Sequence, residues 1–341
     1  MIGVAVVGAG HWGPNLLHNF ADGVRSRVCW VADLDPRRLE AVRARFPAVR
    51  LTTDAAQAIG DTAVDAVVIA TPTATHHALA RAALAAGKHV LIEKPLATSS
   101  ALGAELVELA HAAGKVLLVG HVFLYNPAVR WVKQHLDAGR LGRIYYLSTE
   151  RTNLGPVRTD VDAAWDLAAQ DLAIFDHWLD ATPLAVAATG GAWINPGVAD
   201  AVFATVRYPA DVLAHLHVSW LNPRKVRDIT VVADHGMLTY DDMNVPEPIR
   251  IYDKQVTRVA EPPDLIHTFA AFRANIRDGD ISIPKVPMGE PLRAECEHFL
   301  DCIEGSAVPL TGGEPALAVL RTLEALTRSM HDHGRETAVA R

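Results

Sequence analysis

"IGVAVVGAGHWG", residues 2–13, begins as an almost unbroken apolar run and ends in three spaced glycines, Gly8, Gly10 and Gly13. Such a run, stopped by glycine, reads as a strand buried on both faces. The stretch after it, "NLLHNFADG" (15–23), spaces its apolar residues by three and four, the period of a helix packed along one side. The next apolar run, "RVCWVAD" (27–33), ends in Asp33, twenty residues after Gly13. Strand, glycine turn, helix, and a second strand ending in an acid form the dinucleotide fingerprint. Gly8 makes the tight turn, and Gly10 lets the backbone approach a pyrophosphate. Gly13 lets the helix pack on the strand while its N-terminus faces the phosphates. A carboxylate at Asp33 accepts hydrogen bonds from ribose hydroxyls and repels a 2′-phosphate, so NAD is expected over NADP. Arg37 and Arg38 follow in "DPRRLEAV", a helix start, where solvated charge is the expected role.

The alternation continues outward from this unit. "DAVVIAT" (65–71), "HVLIEK" (89–94) and "KVLLVG" (115–120) read as further strands. "RRLEAVRARF" (37–46), "HHALARAALAAG" (76–87) and "LGAELVELAHAAG" (102–114) read as the helices between them. Alternation of this kind predicts an α/β domain, a doubly wound parallel sheet covered on both faces, over residues 1–122. After about residue 123 the pattern changes. A helix, "NPAVRWVKQHLDAG" (126–139), leads into alternating strands such as "RIYYLSTE", "AVFATVRYP", "VLAHLHVSWL", "DITVVAD" and "GMLTYDD". Short connections such as "YPADV" and "ADHG" predict hairpins. Residues 123–341 are therefore expected to form an α+β domain with a large, mostly antiparallel, open sheet and helices on one side. Its open face needs cover, and a second copy of the chain is the expected partner, giving a homodimer or homotetramer.

Bulk properties narrow the function. A net charge of -7 argues against nucleic acid as a partner, since phosphate binding needs a basic surface. Apolar runs such as "VDAVVIATP" are too short to span a bilayer, so no membrane partner is expected. No signal peptide is read at the start, and three cysteines, Cys29, Cys296 and Cys302, make no disulfide framework. A reducing cytoplasm is the expected location. His215 and His217 lie two apart in "AHLHVSW", but no third ligand is evident and no metal is expected.

The chemistry points to Lys94. In doubly wound sheets ligands bind beyond the carboxyl ends of the strands, where "HVLIEKPL" places Lys94. A lysine there can take or give a proton during hydride transfer. Glu93 is positioned to hold it, and Pro95 fixes a turn that suits a cis bond. "VAVVGAGHWG", "VVIATPTATHH" and "AGKHVLIEKPLA" together resemble the Gfo/Idh/MocA oxidoreductases over nearly the whole chain. That resemblance implies a dinucleotide-binding Rossmann domain followed by an open-sheet domain, with Lys94 as the catalytic lysine. It implies a cofactor site drawn from Gly8, Gly10, His11, Trp12, Gly13 and Asp33, with Thr71, Pro72, His76, Glu93 and Lys94 completing it. "GHVFLYNPAV", "ERTNLGPVRTDVDAAWDLAAQD", "SWLNPRKVRDITVV" and "EPLRAECEHFLDCI" look like the branch that oxidises nucleotide-linked sugars at C3.

In that branch the motif runs Asp, three residues, His, Asp. This chain has Asp166 and Asp171 but Gln170 in place of the histidine. An amide can orient a hydroxyl but cannot take its proton. Three readings stand open. Lys94 alone handles the proton while Gln170 orients the hydroxyl; another group, Tyr125 before His177, replaces the histidine; or the chemistry has changed, as in an NAD-binding sensor. Asp166 and Gln170, four apart, would share one face of a regular helix. Asp176, His177 and Asp180 are expected at the surface or as caps. Tyr125 and Asn126 are expected to contact sugar hydroxyls. Arg151, Asn153, Arg158, Lys225 and Arg227 are expected to hold an anionic substrate group, matching the branch pattern. The alternative substrates are an inositol, a free sugar or a ketosugar to be reduced.

Overall fold

The computed structural model describes residues 1–256 and 276–340. They fold into two compact units, residues 1–126 with 289–324, and residues 127–288 with 325–340.

In the first unit, β1 (Ile2–Val7), β2 (Ser26–Ala32), β3 (Arg50–Thr52), β4 (Ala66–Ile69), β5 (His89–Glu93) and β6 (Leu117–Gly120) make one sheet in the order β3-β2-β1-β4-β5-β6. Every pair in it is parallel. This is the doubly wound order of dinucleotide-binding domains, with the switch point between β1 and β4. β1 is buried along its whole length, as its apolar run requires. Helices α1 (Gly13–Asp22), α2 (Pro36–Arg45), α3 (Ala55–Gly60), α4 (His76–Ala85) and α5 (Ser100–Ala112) connect the strands. The short β3 and α3, built from only nine residues, escape periodicity arguments. Asp35, Asp54 and Ser99 cap α2, α3 and α5 with side-chain oxygens on backbone N–H groups. Gly87 and Gly114, just past α4 and α5, take the left-handed conformation at φ 70° and 61°.

In place of the single boundary expected at residues 122/123, the chain crosses between the units three times, at 126/127, 288/289 and 324/325. The chain returns to the first unit at Gly289, and α8 (Pro291–Ile303) packs there. Cys296, Phe299, Leu300 and Cys302 join the apolar cluster of Leu16, Leu17 and Phe20, with Phe20 and Phe299 edge to face at 6.3 Å. Arg25 adds ion pairs to Asp301 and Glu304, each at 2.7 Å.

The second unit opens with α6 (Pro127–Asp137), followed by β7 (Ile144–Leu154), α7 (Ala169–Leu179), β8 (Ala185–Gly191), β9 (Ala201–Arg207) and β10 (Leu213–Ser219). Then come β11 (Leu221–Ala233), β12 (Gly236–Asp241), β13 (Ile249–Val256), β14 (Ile276–Ser282) and, at the end, β15 (Thr337–Ala338). They form a nine-stranded sheet in the order β14-β13-β12-β11-β7-β10-β9-β8-β15. The expected hairpins are present: β9–β10 and β11–β12 are antiparallel neighbours. The pair β7–β10 is parallel, because the chain leaves β7 through α7 and two further strands before returning beside it. "VLAHLHVSWL" is two strands rather than one, broken at Trp220. The last long helix, α9 (Gly313–His331), counts with the first unit as far as Glu324 and with the second from Ala325. None of the described helices is long and apolar enough to cross a membrane.

One face of the second sheet is buried, carrying Leu147, Thr149 and Arg151 of β7 and Ala214, Leu216 and Val218 of β10. Registered across β7, β10 and β9 on the other face are Tyr146, Leu213 and Arg207 in one row, and Glu150, His217 and Phe203 in another. His217 stacks on Phe203 at 4.5 Å, a sheet-packing role as expected for it, while His215 is exposed.

Candidate functional site

The glycine turn in the first unit has a separate steric reason at each position. Gly8 sits at φ 98°, and a Cβ there would meet the Ala70 carbonyl oxygen at 2.5 Å. A Cβ on Gly13 would stand 1.9 Å from the Gly8 carbonyl oxygen, so α1 packs on the turn only as glycine. Gly10 is open, its nearest neighbour being the Arg38 guanidinium at 3.5 Å from a Cβ position. That leaves backbone another molecule can approach, which is what a pyrophosphate requires. No side chain caps the N-terminus of α1. Asp33 is fixed at the end of β2: its Oδ2 accepts from Ala9 N at 2.7 Å and its Oδ1 from Asp35 N at 2.8 Å. Oδ1 keeps a second lone pair for a ribose hydroxyl. Arg38 lies 3.5 Å from Asp33, and Arg37 is paired with its own helix cap, Asp35. The residues fit a dinucleotide.

Lys94 follows β5 directly, and the Lys94–Pro95 bond is cis. Glu93 is crowded by the backbone of Gly120, whose Cβ would lie 3.0 Å from Oε2. Burial pushes the Glu93 carboxyl up to about 7, against the opposing pull of Lys94. The buried indole N–H of Trp12 faces this carboxyl without completing a hydrogen bond. Thr71 and Pro72 lie at the carboxyl end of β4, where Thr71 Oγ1 accepts from the Thr75 hydroxyl at 2.7 Å. His11 is exposed beside Gly10.

Two expected contact residues of this unit are structural instead. His76 is 1% exposed, with Nδ1 2.9 Å from the Pro95 carbonyl and Nε2 2.9 Å from the Thr71 carbonyl. It clamps two loops together and has no surface to offer a cofactor. Tyr125 is also 1% exposed; its hydroxyl lies 3.1 Å from Thr311 Oγ1 and its ring packs on His298. It is not placed to replace the histidine. Asn126 is half-buried, its N–H bonded to the Phe123 carbonyl.

In the second unit, Asp166 lies in a π-helical turn, Ala164–Ala168, that leads into α7. The regular helix expected through Asp166 and Gln170 is therefore interrupted, and their one-turn stacking does not hold. Such turns widen the helix locally and recur at functional sites. Asp166 is gripped from two sides: Trp220 Nε1 donates to Oδ2 at 3.1 Å, and Arg158 Nη1 to Oδ1 at 3.2 Å. Gln170 is 6% exposed, and its Oε1 has no hydrogen-bond partner among the described residues. A buried acceptor left in that state costs stability unless something else donates to it.

The expected anion-holding arginines point elsewhere. Arg151 is 5% exposed and binds Asp171 with Nε at 3.0 Å from both carboxyl oxygens and Nη2 at 2.7 Å from Oδ1. Burial opposes its charge, but Asp171 outweighs that and holds the guanidinium protonated. This is an internal ion pair, not a ligand site. Arg158 spends its fork on Asp160, at 2.9 and 2.6 Å, and on Asp166. Asn153 bonds the Gly155 carbonyl, and Arg227 pairs with Asp242 at 3.1 Å. Lys225 is exposed, in the part of β11 where pairing with β7 breaks register. Asp176, expected at the surface or as a cap, is half-buried with its Oδ2 enclosed: its Oδ1 accepts from the Tyr208 hydroxyl at 2.7 Å, and burial pushes it up to about 7. His177 is half-buried, while Asp180 is exposed and caps α7 in the left-handed conformation.

Nothing in the sequence singles out Trp220 or Glu295. A tryptophan at a strand break and a glutamate inside an amphipathic helix carry no local signal of what they face.

Comparison with known proteins adds a family. A model described as "Oxidoreductase family, NAD-binding Rossmann fold" matches residues 2–121, and the "GFO/IDH/MocA C-terminal domain" matches residues 129–239. A UDP-N-acetylglucosamine 3-dehydrogenase from Acidithiobacillus ferrooxidans is 30% identical over 304 residues, covering 87% of each chain. An inositol 2-dehydrogenase from Acidothermus cellulolyticus is 32% identical over 224 residues, covering 63% of this chain and 65% of the relative. The crystal structure of GenD2 from gentamicin A biosynthesis, in complex with NAD, superposes with a TM-score of 0.82 at 26% identity, covering 100% of this chain and 97% of that one. With both of its parts matched and the glycine turn built to take NAD, the chain belongs to the Gfo/Idh/MocA family of oxidoreductases.

Proposed function

We propose that the protein is an NAD-dependent dehydrogenase acting on the C3 hydroxyl of a nucleotide-linked sugar. Lys94, at the carboxyl edge of β5 beside Glu93, is the observation that carries this reading. Bound nicotinamide supplies the acceptor for the hydride leaving the sugar carbon. Lys94 Nζ takes the hydroxyl proton as the carbon becomes a ketone; in reverse, its ammonium returns that proton to the alkoxide. Asp166, held by Trp220 and Arg158, orients the reacting group. Gln170 accepts a hydrogen bond from a ring hydroxyl at its unpartnered Oε1. This supports the reading in which lysine alone handles the proton and the amide only positions. The exposed Lys225 is the remaining candidate for the substrate's anionic groups. The likeness to a nucleotide-sugar 3-dehydrogenase over 87% of both chains favours that substrate class. The identity to an inositol dehydrogenase supports a polyol as the second reading.

The open face of the second sheet exposes Tyr146, Phe203 and Leu213, and it supports assembly into a homodimer or homotetramer through that face. The function is tested by following nicotinamide reduction with NAD and a panel of UDP- and dTDP-sugars, uronates included, with inositols alongside. Reduction with a nucleotide sugar is expected. Reduction with inositol alone would move the assignment to the second reading. Silence throughout, followed by oxidation of NADH with the 3-keto sugars, would make it a ketosugar reductase.

A further inference from the structure

The residue before Asp166 reaches a partner that the reaction above does not use. Trp165 and Asp166 are neighbours in the π-helical turn Ala164–Ala168. The Trp165 indole Nε1 donates to Thr327 Oγ1 at 3.0 Å, across 162 positions of sequence. Thr327 lies on the part of α9 that belongs to the second unit, as Trp165 does. That part of α9 is firmly held. Ser329 is wholly buried; its hydroxyl donates to the Arg335 carbonyl at 2.7 Å and accepts from Ala188 N of β8 at 2.9 Å. Leu326 is buried beside it, and a Cβ on Gly190 of β8 would stand 2.8 Å from Met330 Sδ. Resting on the assignment of Asp166 as the group that orients the substrate, we propose that Trp165 and Thr327 are positioning residues: their hydrogen bond selects the π register of the turn, and that register aims the Asp166 carboxyl.

A π turn holds one residue more than the regular helix it interrupts, and such turns are rare unless something outside the helix favours them. Each residue of a regular helix turns the chain by about 100°. Losing the extra residue while α7 stays in place would swing Trp165 and Asp166 together by roughly that angle. The indole would leave Thr327. The carboxyl would leave Trp220 and Arg158, which meet it at 3.1 and 3.2 Å. The entry to the turn is held separately. Asp162 Oδ1 accepts from Trp165 N at 3.0 Å, the Asp162 carbonyl accepts from Asp166 N at 3.1 Å, and Ala163 N donates to the Ala199 carbonyl at 2.9 Å. Those contacts fix where the turn begins and do not distinguish one register from the other. The indole–hydroxyl bond does, because its acceptor stands on another helix.

Thr327→Val keeps the shape of the side chain and removes the acceptor; Thr327→Ser keeps the hydroxyl. Trp165→Phe removes the donor from the other side. With a nucleotide sugar as substrate, kcat is expected to fall about five- to ten-fold in Thr327→Val and in Trp165→Phe, the effect of one hydrogen bond. Thr327→Ser should stay within about two-fold of the wild type. The double variant should be no worse than either single change, because both remove the same bond. NAD binding, followed by fluorescence, should persist throughout and reports that each variant is folded. In the Asp166→Ala background Thr327→Val should have no further effect, whereas a role in packing alone would lower kcat equally there. The second readout needs no substrate. The indole N–H of Trp220, which donates to Asp166, is followed by heteronuclear NMR of tryptophan-labelled protein and assigned with Trp220→Phe. Its resonance is expected to move in Thr327→Val and to stay in place in Thr327→Ser. An unmoved Trp220 resonance in Thr327→Val, or a fall in kcat that persists in the Asp166→Ala background, overturns the proposal. If Thr327→Val does not fold, Trp165→Phe decides by the same two readouts. Silence with every sugar would count against the proposed function, and the Trp220 resonance would then decide alone.

Discussion

The two units bury carboxylates in opposite ways. In the second, Asp171 is met by three close contacts from Arg151 and is wholly enclosed. In the first, Glu295 is wholly enclosed with neither carboxyl oxygen hydrogen-bonded among the described residues, and Glu93 is met by Lys94 and by an incomplete contact from Trp12. A fully matched pair is locked: changing its charge state costs more than the interior can return. An under-matched cluster holds protons near neutral pH, and that is the property a proton-transferring site needs. The contrast separates framework from chemistry better than charge alone, because both places look equally ionic in the sequence.

The largest test of the contrast is Lys94→Met. It is expected to lower kcat by about 1,000-fold or more while NAD binding, followed by fluorescence titration, persists. Unchanged turnover would remove the first-unit cluster from the mechanism. Next comes Asp171→Ala, which strands the buried Arg151 guanidinium. A loss of about 3–5 kcal/mol is expected in urea unfolding; a loss under 1 kcal/mol would mean that the pair is not a framework element. Trp220→Phe removes one donor from Asp166 and is expected to cost about 1 kcal/mol, a fall of roughly five-fold in kcat, with little change in stability. An equal fall in the Asp166→Ala background would show that Trp220 acts elsewhere.

The smallest effect concerns Asp176, an under-matched acid placed in the second unit. Folded Asp176 holds its proton up to about 7, whereas the unfolded chain releases it near the ordinary carboxylate value. Wild-type stability therefore falls as pH rises through that window, because the native state must either keep a proton or bury a charge. Asp176→Asn removes this dependence and keeps an acceptor for Tyr208. Its Tm relative to the wild type should be higher at pH 8 than at pH 5, and a difference that does not change with pH would mean that Asp176 is ionised throughout.

How far the sequence could be read depended on what each residue does. Gly8, Gly10 and Gly13 act through their own backbone, so their spacing was enough to assign each a task, and each has a distinct steric reason in the fold. The doubly wound parallel sheet was legible because apolar runs covered on both faces alternate with helical stretches, while the three-residue β3 left no such mark. Side chains whose work depends on a distant partner were opaque. Arg151 looks like a ligand-holding arginine until β7 is laid beside α7 and Asp171 closes on it. Tyr125 seemed accessible because nothing local signals Thr311 and His298, which come almost two hundred residues later. The parallel pairing of β7 and β10 was hidden because alternation is the same in parallel and antiparallel strands.

The return of α8 bears on how the protein is made. Phe299 and Leu300 complete the cluster around Phe20, yet 177 residues separate Asn126 from Ile303. At about 5–20 residues per second, a ribosome takes roughly ten to thirty-five seconds to cross that interval. Throughout it the emerged glycine turn and its sheet lack part of their covering, and the apolar side of α1 is open to solvent or to a chaperone. The NAD-binding sheet is thus synthesised before the strands of the second unit and sealed only after most of them.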